Sequence, residues 1–243
     1  QMCIRDRVSG AGAAAIACTN LLVSLGLKRE NVTLCDSKGV IYQTREDRER
    51  MDATKVHYAI ADNGQRTLAD AVAGKDIFLG LSGADLLSPE MLKTMADKPL
   101  VFAMANPNPE IKPPVAKEAR ADVVIGTGRS DYPNQINNVL CFPFLFRGAL
   151  DCGASEINEA MKKAAVYAIA DLAHEPVPEA VRTAYQNRDF TFGAEYLIPT
   201  PFDPRLISRI APAVAKAAAE SGVAARPIVD LAAYAASLEK RAD

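Results

Sequence analysis

Tryptophan is absent from the 243 residues, histidine occurs twice, and no apolar run approaches the length of about 18 residues that a membrane-crossing helix requires. A membrane span is therefore not expected, and the first residues lack the continuous apolar segment of a secretory signal. His57 and His174 have no acidic or histidine partner at metal-ligand spacing, which places them at surfaces or helix ends rather than on a metal. The five cysteines, Cys3, Cys18, Cys35, Cys141 and Cys152, show no CxxC spacing. An odd number of scattered thiols fits reduced side chains in a cytoplasmic protein. Nor is there an excess of one charge: 28 basic residues stand against 30 acidic ones, which points away from nucleic acid or an anionic membrane surface as partner and leaves small polar ligands open.

What is present is alternation. Short β-rich runs, VTLCD (32–36), DIFLGLS (76–82), PLVFAMAN (99–106) and DVVIGTG (122–128), are separated by helical stretches at 13–25, 67–73, 88–96 and 113–120. This pattern predicts an α/β fold, Rossmann-like and doubly wound, with a mostly parallel sheet. Ser88-Pro89-Glu90 reads as a cap followed by a first-turn proline. After Asn138 the texture becomes helical: NNVLCFPFLFRGALD, then a helix opened near Ser155, Asn158 and Glu159, then DPRLISRIAPAVAKAAAESG stopped at Gly222, and a last helix in RPIVDLAAYAASLEKRA. The cluster REDRERMD (45–52) is expected to be a solvated helix face or loop.

Gly10-Ala11-Gly12-Ala13-Ala14-Ala15 has the form GxGxxA. The first glycine permits a tight turn, the second lets backbone N–H groups approach a diphosphate, and the small third residue lets helix and strand pack closely. A helix N-terminus at this point adds partial positive charge. VTLCD ends in Asp36, 24 residues past Gly12, near the spacing of about 20 expected for the acid that accepts a ribose 2′-hydroxyl. Asp36 favours NAD, whereas Ser37 and Lys38 could receive a 2′-phosphate, so the choice between NAD and NADP stays open. Gly10, Ala11, Gly12, Ala13, Asp36, Ser37 and Lys38 form the expected cofactor set.

Two amide-rich stretches leave predicted strand ends. AMANPNPE carries Asn106, followed by Pro107, which cannot extend a ladder. GTGRSDYPNQINNV carries Asn134, Gln135, Asn137 and Asn138. Amides donate to a carboxylate and accept from a hydroxyl without adding charge, which suits a 2-hydroxy acid held beside a nicotinamide. Each is equally readable as a turn or helix cap.

At SGAGAAAIA, TLCDSKGVIY, FAMANPNPEI and GTGRSDYPNQINNVLCFPFLFRGALD the chain resembles the C-terminal NAD(P)-binding domain of bacterial malic enzymes, from Val8 to about Ile228. The resemblance implies oxidative decarboxylation of malate to pyruvate and CO2, with hydride passed to NAD or NADP and with Mg2+ or Mn2+ holding the substrate. It implies that Gly10 to Ala13 cradle the pyrophosphate, that Asp36 faces the adenosine ribose, that Asn106 touches both cofactor and substrate, and that Asn137 and Asn138 touch malate. It also implies a homo-oligomer. The family's proton-transferring Tyr and Lys and its acidic metal ligands lie upstream of the glycine turn, so no catalytic or metal-binding residue is assigned to this chain.

Seven residues precede Val8, and QMCIRDR is a poor buried strand. The expectation is a scar-like segment at 1–7, an NAD(P)-binding domain at 8–225, and a terminal helix or linker start at 226–243, where some bacterial members continue into a phosphotransacetylase-like domain. On this basis an N-terminal catalytic domain is missing and the isolated chain is inactive. The alternatives are a different hydroxy-acid or amino-acid dehydrogenase domain and a non-catalytic NAD(P)-sensing module.

Overall fold

The computed structural model describes residues 5–185 and 190–240, so Cys3 lies outside it. The remaining four cysteines are free thiols. The chain divides into two compact units, one ending at Pro133 and the other beginning at Asn134.

The first unit is a six-stranded sheet. Its strands are β1 (Asp6–Ser9), β2 (Val32–Asp36), β3 (Gly39–Val40), β4 (Ile77–Gly80), β5 (Leu100–Ala103) and β6 (Val124–Thr127). They lie in the order β3-β2-β1-β4-β5-β6, parallel except for the short β3. The connecting helices are α1 (Ala13–Ser24), α2 (Ala53–His57), α3 (Leu68–Val72), α4 (Pro89–Lys93) and α5 (Pro113–Ala119). All four predicted strands and four predicted helices form where the patterning placed them, because strands buried on both faces read as nearly continuous apolar runs. Register explains the two layers. Val8, Leu34 and Leu79 align on one face and pack with Ala15 and Ile16 of α1. Phe78, Val101 and Ile125 align on the other and pack with Val72, Leu92 and Ala116 of α3, α4 and α5. Ser88 caps α4 through the amide of Met91, with Pro89 in the first turn as read from sequence.

The sequence reading of the first strand differs from the structure. Asp6 and Arg7, expected to make poor strand material, sit in central β1 with four buried residues in a row. Ladders to β2 and β4 on both sides hold the backbone whatever the side chains prefer. Arg7 satisfies its guanidinium on backbone carbonyls, donating to Ala71 O at 2.5 Å, Asp6 O at 2.6 Å and Asn31 O at 3.2 Å. Asp6 does less well: its Oδ1 is buried without a hydrogen-bond partner among the described residues, and burial, opposed by Arg7, pushes its carboxyl up to about 6. The folded state thus favours protonated Asp6. This contribution is whole below about pH 4 and is lost as pH rises through about 6. Urea unfolding should therefore show wild type losing about 2 kcal/mol relative to Asp6→Asn between pH 4.5 and 7.5, whereas a constant difference would contradict the buried charge.

The second unit is helical: α6 (Phe142–Asp151), α7 (Glu159–Ala173), α8 (Glu179–Ala184), α9 (Arg205–Glu220) and α10 (Leu231–Glu239). Asn158 caps α7 through the amide of Met161, and Gly222, at φ 76°, follows the end of α9. α9 packs against α6, α7 and α10 around Leu206, Ile210 and Val214. Gly148 permits the close approach of α6, since a side chain there would overlap the Ala211 carbonyl. The short helices α2 and α8 are additions to the helices read from the sequence. No helix among the described residues is long and apolar enough to cross a membrane.

Candidate functional site

The strand order reverses direction between β1 and β4, and in open parallel sheets ligands bind outside the carboxyl ends of the strands at such a point. Ser9 closes β1 there and the glycine turn follows. Gly10 is held at φ 120°, its N–H donating to Cys35 O at 2.8 Å, and an added Cβ would stand 2.5 Å from Leu81 O. Gly10 is thus wedged between the tips of β2 and β4. Ala11 is buried.

Gly12 is different. It is the N-cap of α1 with extended backbone angles, φ −82° and ψ −177°, no side chain caps the helix, and a Cβ at Gly12 would meet nothing within 4 Å. The α1 N-terminus therefore offers uncapped amides beside open space, the combination that accepts a phosphate oxygen. Ala15, the third fingerprint position, is only 1% exposed against β1, which lets the helix approach the sheet. Exposed Gly12 and Ala13 border a cleft of about 510 Å³ that is also lined by Ala17, Asn20, Asp52 and Lys55.

Asp36 ends β2, with Ser37 and Lys38 following in an exposed turn. Arg45 clamps the Asp36 carboxylate through both terminal nitrogens, at 2.9 and 2.7 Å, and the backbone N–H of Lys38 donates to the same carboxylate at 2.9 Å. Burial alone would raise the Asp36 carboxyl, but these hydrogen bonds and the charges of Arg45 and Lys55 together hold it below the ordinary carboxylate range. Arg45 also donates to Asp47 through Nε at 2.7 Å and to Val40 O at 3.1 Å, so its donors are spent inside the protein. Lys38 Nζ lies 2.6 Å from Asp47, whose carboxyl is lowered to about 2 by hydrogen bonds from Lys38 and Arg45. Lys55 Nζ, on the cleft side, is 4.0 Å from Asp36.

REDRERMD is mostly exposed loop, as expected for a solvated helix face or loop, and Arg45 is the exception. Arg45 is 8% exposed and organises the acid at the end of β2, and the segment closes with a short 3-10 turn at Arg48–Arg50 and with Asp52 capping α2. Neither Arg45 nor Lys55 was singled out from the sequence. Their only sequence signal was a basic residue within 20 positions of the strand-ending acid.

Asn106 lies just past β5, exposed, and joins Pro107 by a cis peptide. It shares the carboxyl edge of the sheet with Gly10 and Asp36, two strands from β1. Glu110 behind it is fully buried and accepts from two loop amides, Ser82 N at 3.1 Å and Ala105 N at 3.0 Å. The other asparagines belong to the second unit. Asn137 and Asn138 are exposed, and Asn137 caps the 3-10 turn Asn138–Leu140 by accepting from Val139 N at 3.0 Å. Asn134 is structural: it donates to Ala194 O and accepts from Leu197 N, each at 2.8 Å. Among the described residues, no three His, Cys, Asp or Glu side chains gather in a way suited to a metal ion. The described residues do not fit a metal.

Residues 5–184 match the family described as malic enzyme, NAD binding domain. The NADP-dependent malic enzyme of Haemophilus influenzae is 65% identical over 235 residues, which is 97% of this chain and 31% of that protein. The NAD-dependent malic enzyme of Rhizobium meliloti is 60% identical over 232 residues, 96% of this chain and 30% of that protein. The chain spans about a third of the length of these curated relatives. Among solved structures, the malic enzyme from Pyrococcus horikoshii Ot3 aligns with a TM-score of 0.81 at 32% identity, covering 98% of this chain and 52% of the other.

Proposed function

Because the chain belongs to the malic enzyme family through its NAD-binding domain, we propose that it holds the dinucleotide in the oxidative decarboxylation of malate to pyruvate and CO2. The observation that carries this is the open cradle at Gly12, where uncapped helix amides face a space that any side chain would enter. Held by the amides at the start of α1, the dinucleotide would supply the hydride acceptor for malate oxidation. The chain's own residues bind and orient. The amides at the start of α1 hold the diphosphate, and Asp36, fixed by Arg45, faces the adenosine ribose, with Ser37 and Lys38 in the turn beside it. Asn106 reaches toward the nicotinamide end and the substrate. Asn137 and Asn138 supply uncharged donors and acceptors for malate. We assign the proton-transferring groups and the Mg2+ or Mn2+ ligands to sequence that the relatives contain and this chain does not match. The reading includes a cytoplasmic homo-oligomer.

We take NADP as the preferred cofactor. Arg45 neutralises Asp36, the acid that would otherwise repel a 2′-phosphate, Lys55 Nζ stands 4.0 Å from that carboxylate, and Lys38 follows in the exposed turn with its ammonium on Asp47. Titration followed by NADPH fluorescence tests this. Lys38→Ala with Lys55→Ala should weaken NADPH by about tenfold and NADH by less than about twofold. Equal losses would remove the preference, and absence of dinucleotide binding by the wild-type chain would remove the proposal. The malate assignment is tested by joining the chain to the unmatched portion of the Haemophilus relative and assaying pyruvate from malate with Mn2+ and NADP. Turnover of other 2-hydroxy acids but not malate would favour a different dehydrogenase.

A further inference from the structure

Glu110 is an anomaly that the cofactor cradle does not use. Its side chain is 0% exposed, yet among the described residues no cation pairs with it. Two backbone amides compensate its polar oxygens, and they come from different loops. Oε1 accepts from Ser82, just after β4, and Oε2 accepts from Ala105, just after β5. A buried carboxyl group is disfavoured unless such hydrogen bonds are made, so the arrangement is a constraint on both loops. Gly80 makes room for it: a Cβ at Gly80 would overlap the carboxylate, with both oxygens 2.6 Å away. The network continues to the glycine turn. Ser82 Oγ lies 2.8 Å from Ser9 Oγ, and Leu81 N donates to Ser9 O at 2.8 Å, one residue before Gly10. In the other direction Ala105 directly precedes Asn106.

We propose that Glu110 is a positioning residue that sets the distance between the diphosphate turn at Gly10–Gly12 and the Asn106 tip, so that a dinucleotide can reach both at once. The inference rests on the dinucleotide reading above. It makes a demand that a merely stabilising brace would not. A ligand that spans both loops should depend on Glu110, while a ligand that occupies the glycine turn and the Asp36 end alone should not.

Glu110→Gln keeps the volume and exchanges one acceptor for an amide NH2, which cannot accept from Ser82 or Ala105. Calorimetric titration of wild type and variant with NADPH and with the fragment 2′-phospho-ADP, which lacks the nicotinamide and its ribose, compares the two classes. NADPH affinity is expected to fall about tenfold and fragment affinity less than about twofold. Equal falls for the two ligands, or no fall, would overturn the proposal. Wild type that binds neither ligand would overturn the dinucleotide reading and this inference with it, whereas wild type binding both and an unaltered variant would sink this inference alone. Should Glu110→Gln not fold, amide exchange in the wild-type chain decides. Ser82 and Ala105 should be protected, with protection rising on adding NADPH and unchanged by the fragment, and exchange at the rate of open loop amides would be incompatible with the brace.

Discussion

Gly12→Val should fold like the wild type and lose at least about 2 kcal/mol of dinucleotide affinity, roughly a thirtyfold rise in Kd. The backbone at Gly12 is extended, at φ −82° and ψ −177°, which any residue adopts, and the site of the new Cβ is empty for 4 Å around. The added Cβ therefore meets no clash from the rest of the fold. A poorer N-cap costs a fraction of a kcal/mol to about 1 kcal/mol, which is a shift of a few degrees in Tm at most for a chain of this size. The isopropyl group instead fills the volume that a diphosphate needs and shields the first amides of α1. Unchanged calorimetric affinity in a folded Gly12→Val protein would take the glycine turn out of the proposed function altogether.

At Gly10 the opposite division is expected. Gly10→Ala should lower stability by at least about 3 kcal/mol, read as a drop in the urea midpoint or as failure to accumulate folded protein. Two independent costs coincide there. The residue sits at φ 120°, a conformation that L side chains rarely adopt, and its Cβ would press within 2.5 Å of Leu81 O, a backbone atom at the tip of β4 that cannot swing aside. Relief would require breaking the Gly10 N to Cys35 O bond or the Leu81 N to Ser9 O bond, and with it the junction of β1, β2 and β4. Two glycines, two residues apart, thus fail for different reasons, one in binding and one in folding. A Gly10→Ala protein of wild-type stability would mean that the strand tips are not packed as described.

Most of the first unit could be read from the chain because its signals are local. A buried parallel strand such as VTLCD or DIFLGLS is recognisable from its own residues, and Ser88-Pro89 marks the start of α4 without help from elsewhere. The glycine turn was legible for the same reason. β1 was not, since Asp6 and Arg7 argue against a central strand and only the ladders on either side, with carbonyls placed to receive the Arg7 guanidinium, make them one. The raised carboxyl of Asp6 records what that placement costs.

The site shows the same split. Asp36 could be named from its distance to Gly12, but Arg45 lay in what looked like a solvated charge run, and its capture of Asp36 depends on the turn through β3 that brings residues nine apart face to face. Glu110 was visible as a letter in NPNPE without a task, because the amides it serves belong to Ser82, 28 positions earlier, and to Ala105. Asn137 was a candidate ligand on composition, and its side-chain oxygen is engaged as a helix cap.

Strands β2, β4, β5 and β6 with the helices between them, the turn before α1 and the acid at the end of β2 were therefore settled by residue order, since each depends on preferences expressed within a few neighbouring positions. Which charges are spent inside the protein and which face a ligand was decided only by packing. A carboxylate or guanidinium has the same character everywhere in a sequence, and its role depends on which distant backbone and side-chain groups the fold brings within hydrogen-bonding range.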